Sequence, residues 1–155
     1  MLRGLDRLPP ASATTYLTVG VTLSLLAAAA LTLGLLTSAA VANPAQATLA
    51  LPMLCFPAVL FSGAIVPVHV MASVGAAISA LMPDRWAFEA LGHDLGIRHL
   101  LAKGGSPLGP PLLRAYGDAG TQTTGVYWDY LGAFAVVFFA GAWVTLARKC
   151  RRNTR

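Results

Sequence analysis

From Leu8 to Pro83 the chain carries no Lys, Arg, Asp or Glu. Wound as one helix, a run of about 75 residues would be roughly 110 Å long, against a bilayer hydrocarbon core of about 30 Å. It has to turn back at least once, and two or three crossings fit inside it. A chain of 155 residues that is 56% hydrophobic and 11% charged lies outside the range of soluble domains and reads as an integral membrane protein. Lipid offers no partner to backbone N–H and C=O groups, so the expected fold class is all-α and polytopic.

The net charge of +5 matters less than where the charges sit. Five of the eleven basic residues (Arg148, Lys149, Arg151, Arg152 and Arg155) fall in the last eight positions, directly after an apolar segment. The positive-inside rule assigns that end to the cytoplasm, and the chain is expected in the plasma (inner) membrane. Between Asp84 and Asp129 there are four basic and five acidic residues, which gives that stretch no pull toward the cytoplasm. Cys55 lies in an apolar segment and Cys150 in the basic tail, depths too different for a disulfide.

Three crossings are expected. The first covers about residues 15–42 and the second about 47–66, where Pro52 and Pro57 predict a bent helix packed inside a bundle. The third covers about 126–147, with Tyr127, Trp128 and Tyr130 marking one interface and residues 148–155 forming the tail at the other. "NPAQ" at 43–46 reads as a tight turn, although Ala40 and Ala42 also give the small-x-small spacing of a signal-peptidase site. Residues 67–82 are short and weakly apolar for a crossing and are expected to re-enter the membrane against protein; a full crossing there would make four spans and put both termini on one side.

"MPDRWAFEAL" then changes the character of the chain. Pro83 suits a first helical turn and Asp84 complements its dipole, while Phe88, Leu91 and Leu95 recur at helical spacing. An amphipathic surface helix is predicted, with the Trp86 ring half in lipid and its N–H wet, broken at Gly92 or Gly96 before Lys103. Residues 103–126, rich in Gly, Pro, Ser and Thr, read as a loop.

Catalytic patterns are missing. No lysine sits in a GxxxxGK[ST] phosphate loop, since "AKGGS" places Lys103 before its glycines, so any ATPase activity is expected on another chain. Glu89, His93, Asp94 and His99 lack metal-ligand spacing and read as a solvated face. No serine has a GxSxG elbow, and the basic tail lacks the interleaved aromatics of a nucleic-acid binder. His69, ionisable and near membrane depth, is the one side chain marked by position alone. No cofactor, metal or nucleic acid is expected.

Taken in order, "RGLDRLPPASATTY", "GLLTSAAVANPAQA", "LPMLCFPAVLFSGAIVP", "ISALMPDRWAFEAL" and the arginine-rich end resemble the C-terminal half of an ATP-binding-cassette exporter permease. The likeness is to the white/pleiotropic-drug-resistance (G-type) subfamily and its bacterial relatives; "FSG" at 61–63 and "PDRWAFEAL" carry it most specifically. It implies that the three crossings are the fourth to sixth of a six-span permease and that residues 66–126 form its external region. It further implies that Cys55 and Val59 face the substrate cavity, that Ala64 and Ile65 form an apolar plug, and that the helix bearing Asp84, Arg85, Trp86, Phe88, Glu89 and Leu91 caps the outer mouth. An apolar constriction of that kind closes by dewetting, with no charged latch. The resemblance leaves the first three spans, the coupling helix and the ATPase to partners: an ABC ATPase subunit or domain, and a second permease half or copy. A small structural or interaction membrane protein that transports nothing, or an inactive remnant of a split permease, is the competing expectation.

Overall fold

The computed structural model describes residues 13–41, 43–99, 109–116 and 122–153, all helix or turn with no strand among them. Helix α1 spans Ala13–Ala40, 28 residues of Ala, Leu, Gly, Thr and Ser. Its hydroxyls turn back onto its own carbonyls, as in Thr22 Oγ1 to Thr18 O at 2.9 Å, Ser24 Oγ to Gly20 O at 2.8 Å and Thr37 Oγ1 to Leu33 O at 2.8 Å. These hydroxyls are therefore satisfied without water, which is what lipid depth requires.

Helix α2 spans Pro44–Leu60, with Pro44 in its first turn and Pro52 and Pro57 inside. It stops short of the expected end at residue 66. Phe61 N–H still reaches Pro57 O at 2.8 Å, but Ser62 Oγ then bonds Val59 O at 2.7 Å and Gly63 takes a φ of 83°, turning the chain out of the helix. A side chain is disfavoured at such a φ, so the glycine sets the corner.

Residues 67–82 form a 3₁₀ turn at Val68–Val70 and a short helix α3, Ser73–Ala80. Fully buried Ser79 donates from Oγ to Phe61 O at 2.7 Å, folding α3 back on the end of α2. Helix α4 spans Pro83–Asp94. Gly92 is carried inside it, and the break falls at Gly96, whose φ is 59°. Within the expected 103–126 loop lies a further short helix, α5, Gly109–Tyr116. Its prolines occupy the first turn, where their missing N–H groups have no intrahelical partner to lose. Helix α6 spans Thr124–Asn153, so the basic end is helical through Asn153.

The core is the pairing of α1 with α6, and three contacts fix its sense. Trp128 Nε1 donates to Thr22 Oγ1 at 2.9 Å, Gly141 meets Leu36 so closely that a Cβ there would lie 3.2 Å from Cδ1, and Lys149 Nζ donates to Val41 O at 2.8 Å. Both helices therefore run in the same direction. Buried residues of the two helices include Thr22, Ala29 and Ala39 of α1 and Tyr127, Leu131 and Ala142 of α6, with Tyr127 also meeting Trp86 of α4 at 6.4 Å between ring centroids. Small residues at such a seam let backbones approach, the packing that holds helices together in lipid. Among the described residues, α1 and α6 are the helices both long and apolar enough by themselves to cross a bilayer. At 17 residues, α2 is roughly 25 Å long, just under the hydrocarbon thickness.

Candidate functional site

Parallel packing of α1 and α6 puts Val41 at one end of the pair and Thr124 at the other. The chain between them travels back along the pair, and α2 is the element of suitable length. Its surface is largely uncovered by the rest of the chain: Leu49, Met53 and Phe56 are each at least 70% exposed. Cys55 and Val59, one helical turn apart, are also exposed, as are Ala64 and Ile65 in the turn that follows. The four residues implied as pathway lining thus share one element and its outgoing turn. Ala64 is also held from outside, its carbonyl accepting from Tyr116 Oη at 2.8 Å. That contact spans 52 residues and was not legible in the sequence, which offered only an aromatic in a glycine-proline segment.

Helix α4 packs across α1 and the start of α6. Its inward face is Pro83, Ala87 and Ala90, all buried, and not the Phe88–Leu91–Leu95 face expected from spacing. The reason is the neighbour: two close helices admit alanines, and the larger rings go to the flanks. Trp86 stacks on Tyr130 with centroids 4.0 Å apart, and its Nε1 donates to Ala80 O at 3.0 Å. The indole N–H is therefore paired with protein and not with interfacial water. Arg85 lies 5.0 Å over the Trp86 ring and bonds Glu89 at 3.0 Å, with the two side chains only 18% and 14% exposed. Phe88 meets Tyr116 edge-on at 6.1 Å. Leu91 is partly covered and accepts the N–H of Leu95 at 3.0 Å. Asp84, at the first turn, is partly buried; desolvation raises its pKa above the ordinary 3.8, and a backbone hydrogen bond opposes that only in part.

The expected solvated face at the end of α4 is also revised. Asp94 is 5% exposed and takes a 2.6 Å hydrogen bond from Thr124 Oγ1 through Oδ1, while its Oδ2 has no partner. His93 Nδ1 lies 3.1 Å from the same hydroxyl. This knot joins the end of α4 to the first turn of α6, and the glycines that obscured the helical phase hid it. Glu89 is likewise largely covered, while His99 is exposed. No cluster of metal-ligating side chains occurs among the described residues. The backbone of His69 lies in the 3₁₀ turn, and its side chain falls outside the described part, as do Arg3, Arg7, Lys103, Arg152 and Arg155.

The arrangement supplies a shaped apolar surface with a braced end. Neither the curated proteins nor the solved structures contain a significant match to the chain. The family model for the ABC-2 type transporter matches residues 8–93, from before α1 through the last turn of α4. That match covers more than half of the sequence and includes "FSG" and "PDRWAFEAL". This integral membrane chain, with two long apolar helices and a proline-containing helix between them in sequence, belongs to the ABC-2 type transporter family.

Proposed function

We propose that the chain is the C-terminal half of a G-type permease and forms part of the export pathway of an ATP-driven ABC transporter. ATP hydrolysis takes place on a separate ATPase subunit or domain, and a second permease half or a second copy completes the cavity. The chain itself performs no covalent chemistry and holds no cofactor.

The observation that carries this reading is the parallel α1–α6 pair. Two spans in the same direction require a third passage between them, which makes α2, with the turn after it, the middle crossing. Cys55 and Val59 then look onto the cavity, and Ala64 and Ile65 lie toward its outer end. The end bearing Arg148, Lys149 and Arg151 faces the cytoplasm of a plasma (inner) membrane, in keeping with the positive-inside rule. Residues 67–82 re-enter from the outside, and α4 caps the exit.

Affinity purification of the tagged chain from native membranes tests the partnership. An ABC ATPase is expected to co-purify. Recovery of the chain alone, as a monodisperse species, would favour a structural or interaction protein that transports nothing. Orientation is tested with impermeant thiol reagent on intact cells: Gly105→Cys is expected to react and Cys150 to remain protected. The reverse pattern would invert the proposed topology.

A further inference from the structure

Beside Ala64 lies a groove of about 290 Å³ formed between α4, α5 and the turn after α2. Phe88 and Tyr116 form an aromatic wall, Ile97 and Leu112 supply aliphatic surface, and Gly92 leaves the α4 side open. Tyr116 has its hydroxyl proton committed to the Ala64 carbonyl at 2.8 Å. The charged side chain lining the groove is Arg98, and no carboxylate among the described residues pairs with it. The volume is at the lower limit of small-molecule pockets, about 300 Å³.

From this combination we propose that the groove binds a single-chain anionic amphiphile of the fatty-acid type. The alkyl chain lies against Phe88, Ile97 and Leu112, and the carboxylate meets the Arg98 guanidinium. A guanidinium offers two parallel N–H donors that match a carboxylate, and a charge-assisted contact of this kind separates an acid from its neutral analogue. The small volume selects one chain over a diacyl lipid. Binding at this groove does not depend on the chain being part of an exporter.

The test is photolabelling of the full chain in membranes with a medium-chain diazirine fatty acid, with labelled peptides mapped by mass spectrometry. Label is expected on the peptides containing Phe88, Ile97 and Leu112, displaced by unlabelled fatty acid. The matching fatty alcohol and a diacyl phosphatidic acid are expected to compete about tenfold less well or worse. Arg98→Gln should reduce labelling by the acid by a similar factor and leave labelling by a diazirine fatty alcohol unchanged. Gly92→Leu should abolish both, because a Cβ at Gly92 meets only Ile97 Cδ1 at 4.0 Å and the larger side chain can extend into the groove. Both variants are compared at equal membrane abundance. Labelling that is spread over the apolar helices, or is unchanged in both variants, would overturn the assignment. Equal competition by the alcohol would refute the role of Arg98, and equal competition by the diacyl lipid would refute the single-chain selectivity.

Discussion

Asp84 illustrates how one side chain answers to two opposing fields. At the first turn of α4 the helix dipole favours a carboxylate, typically by about 0.3–1 kcal/mol. Packing of α4 against the long helices removes water from the same group, and this desolvation is the larger effect, because the pKa lies above the ordinary 3.8. A carboxyl whose pKa rises on folding is favoured in its protonated form. The folded chain therefore suffers no penalty from Asp84 below about pH 3.8 and loses stability as pH rises through the elevated value. Asp84→Asn keeps the shape and removes the charge. It is expected to raise the thermal midpoint in detergent or nanodiscs at pH 7, with the advantage shrinking to nothing as the pH approaches 3.8; a lower midpoint at pH 7 would show that the dipole dominates. Trp86 carries the complementary lesson. Its position pointed to a lipid interface, but stacking on Tyr130 and the bond to Ala80 O hold it as a brace between α3, α4 and α6.

At the scale of elements, the long apolar helices were legible because lipid leaves the chain few options: a charge-free stretch of sufficient length forms a helix or does not enter. The start of α4 was legible for a similarly local reason, a proline followed by an acid. What could not be read were features set by neighbours. The choice of Pro83, Ala87 and Ala90 as the inward face depends on two helices lying close by, and the Asp94–Thr124 bond joins residues 30 apart. The early end of α2 depended on Ser62 and Gly63, which resemble ordinary small residues of a membrane helix until their conformation is known. Gly63 has a φ of 83°, and a Cβ there would lie 3.3 Å from Val68 Cγ2. Gly63→Ala is expected to destabilise the chain by about 1–2 kcal/mol, seen as a lowered thermal midpoint. Gly20→Ala, in a helix with nothing within 4 Å of the new methyl, should be neutral or stabilising by up to about 1 kcal/mol. Equal effects at the two positions would mean that the corner after α2 does not need a left-handed residue.

For the whole molecule, the consequential feature is that α1 and α6 point the same way, since from it follow the return of the chain through α2 and the proposed separation of a basic face from a capped exit. A direct test uses paired cysteines in a background with Cys55→Ser and Cys150→Ser. Leu36→Cys with Gly141→Cys should cross-link rapidly through a short bifunctional thiol reagent, because Leu36 packs against the Gly141 backbone. Thr22→Cys with Gly141→Cys should not: Thr22 lies beside Trp128, and the further helix from 128 to 141 separates the pair by roughly 20 Å. An antiparallel pair would place Thr22 and Leu36 at exchanged heights along α6, and the preference would be reversed. Cross-linking of the Leu36 pair alone would leave only two ways to join the spans, a passage back through the bilayer or a detour around its edge. A detour would hold α2 in water with Leu49, Met53 and Phe56 uncovered, and burying large side chains of this kind is worth about 1.5–3 kcal/mol each. The balance therefore favours α2 in the membrane, although it is shorter than either neighbour and carries two prolines inside it, and places its exposed face where lipid or a second permease surface can cover it.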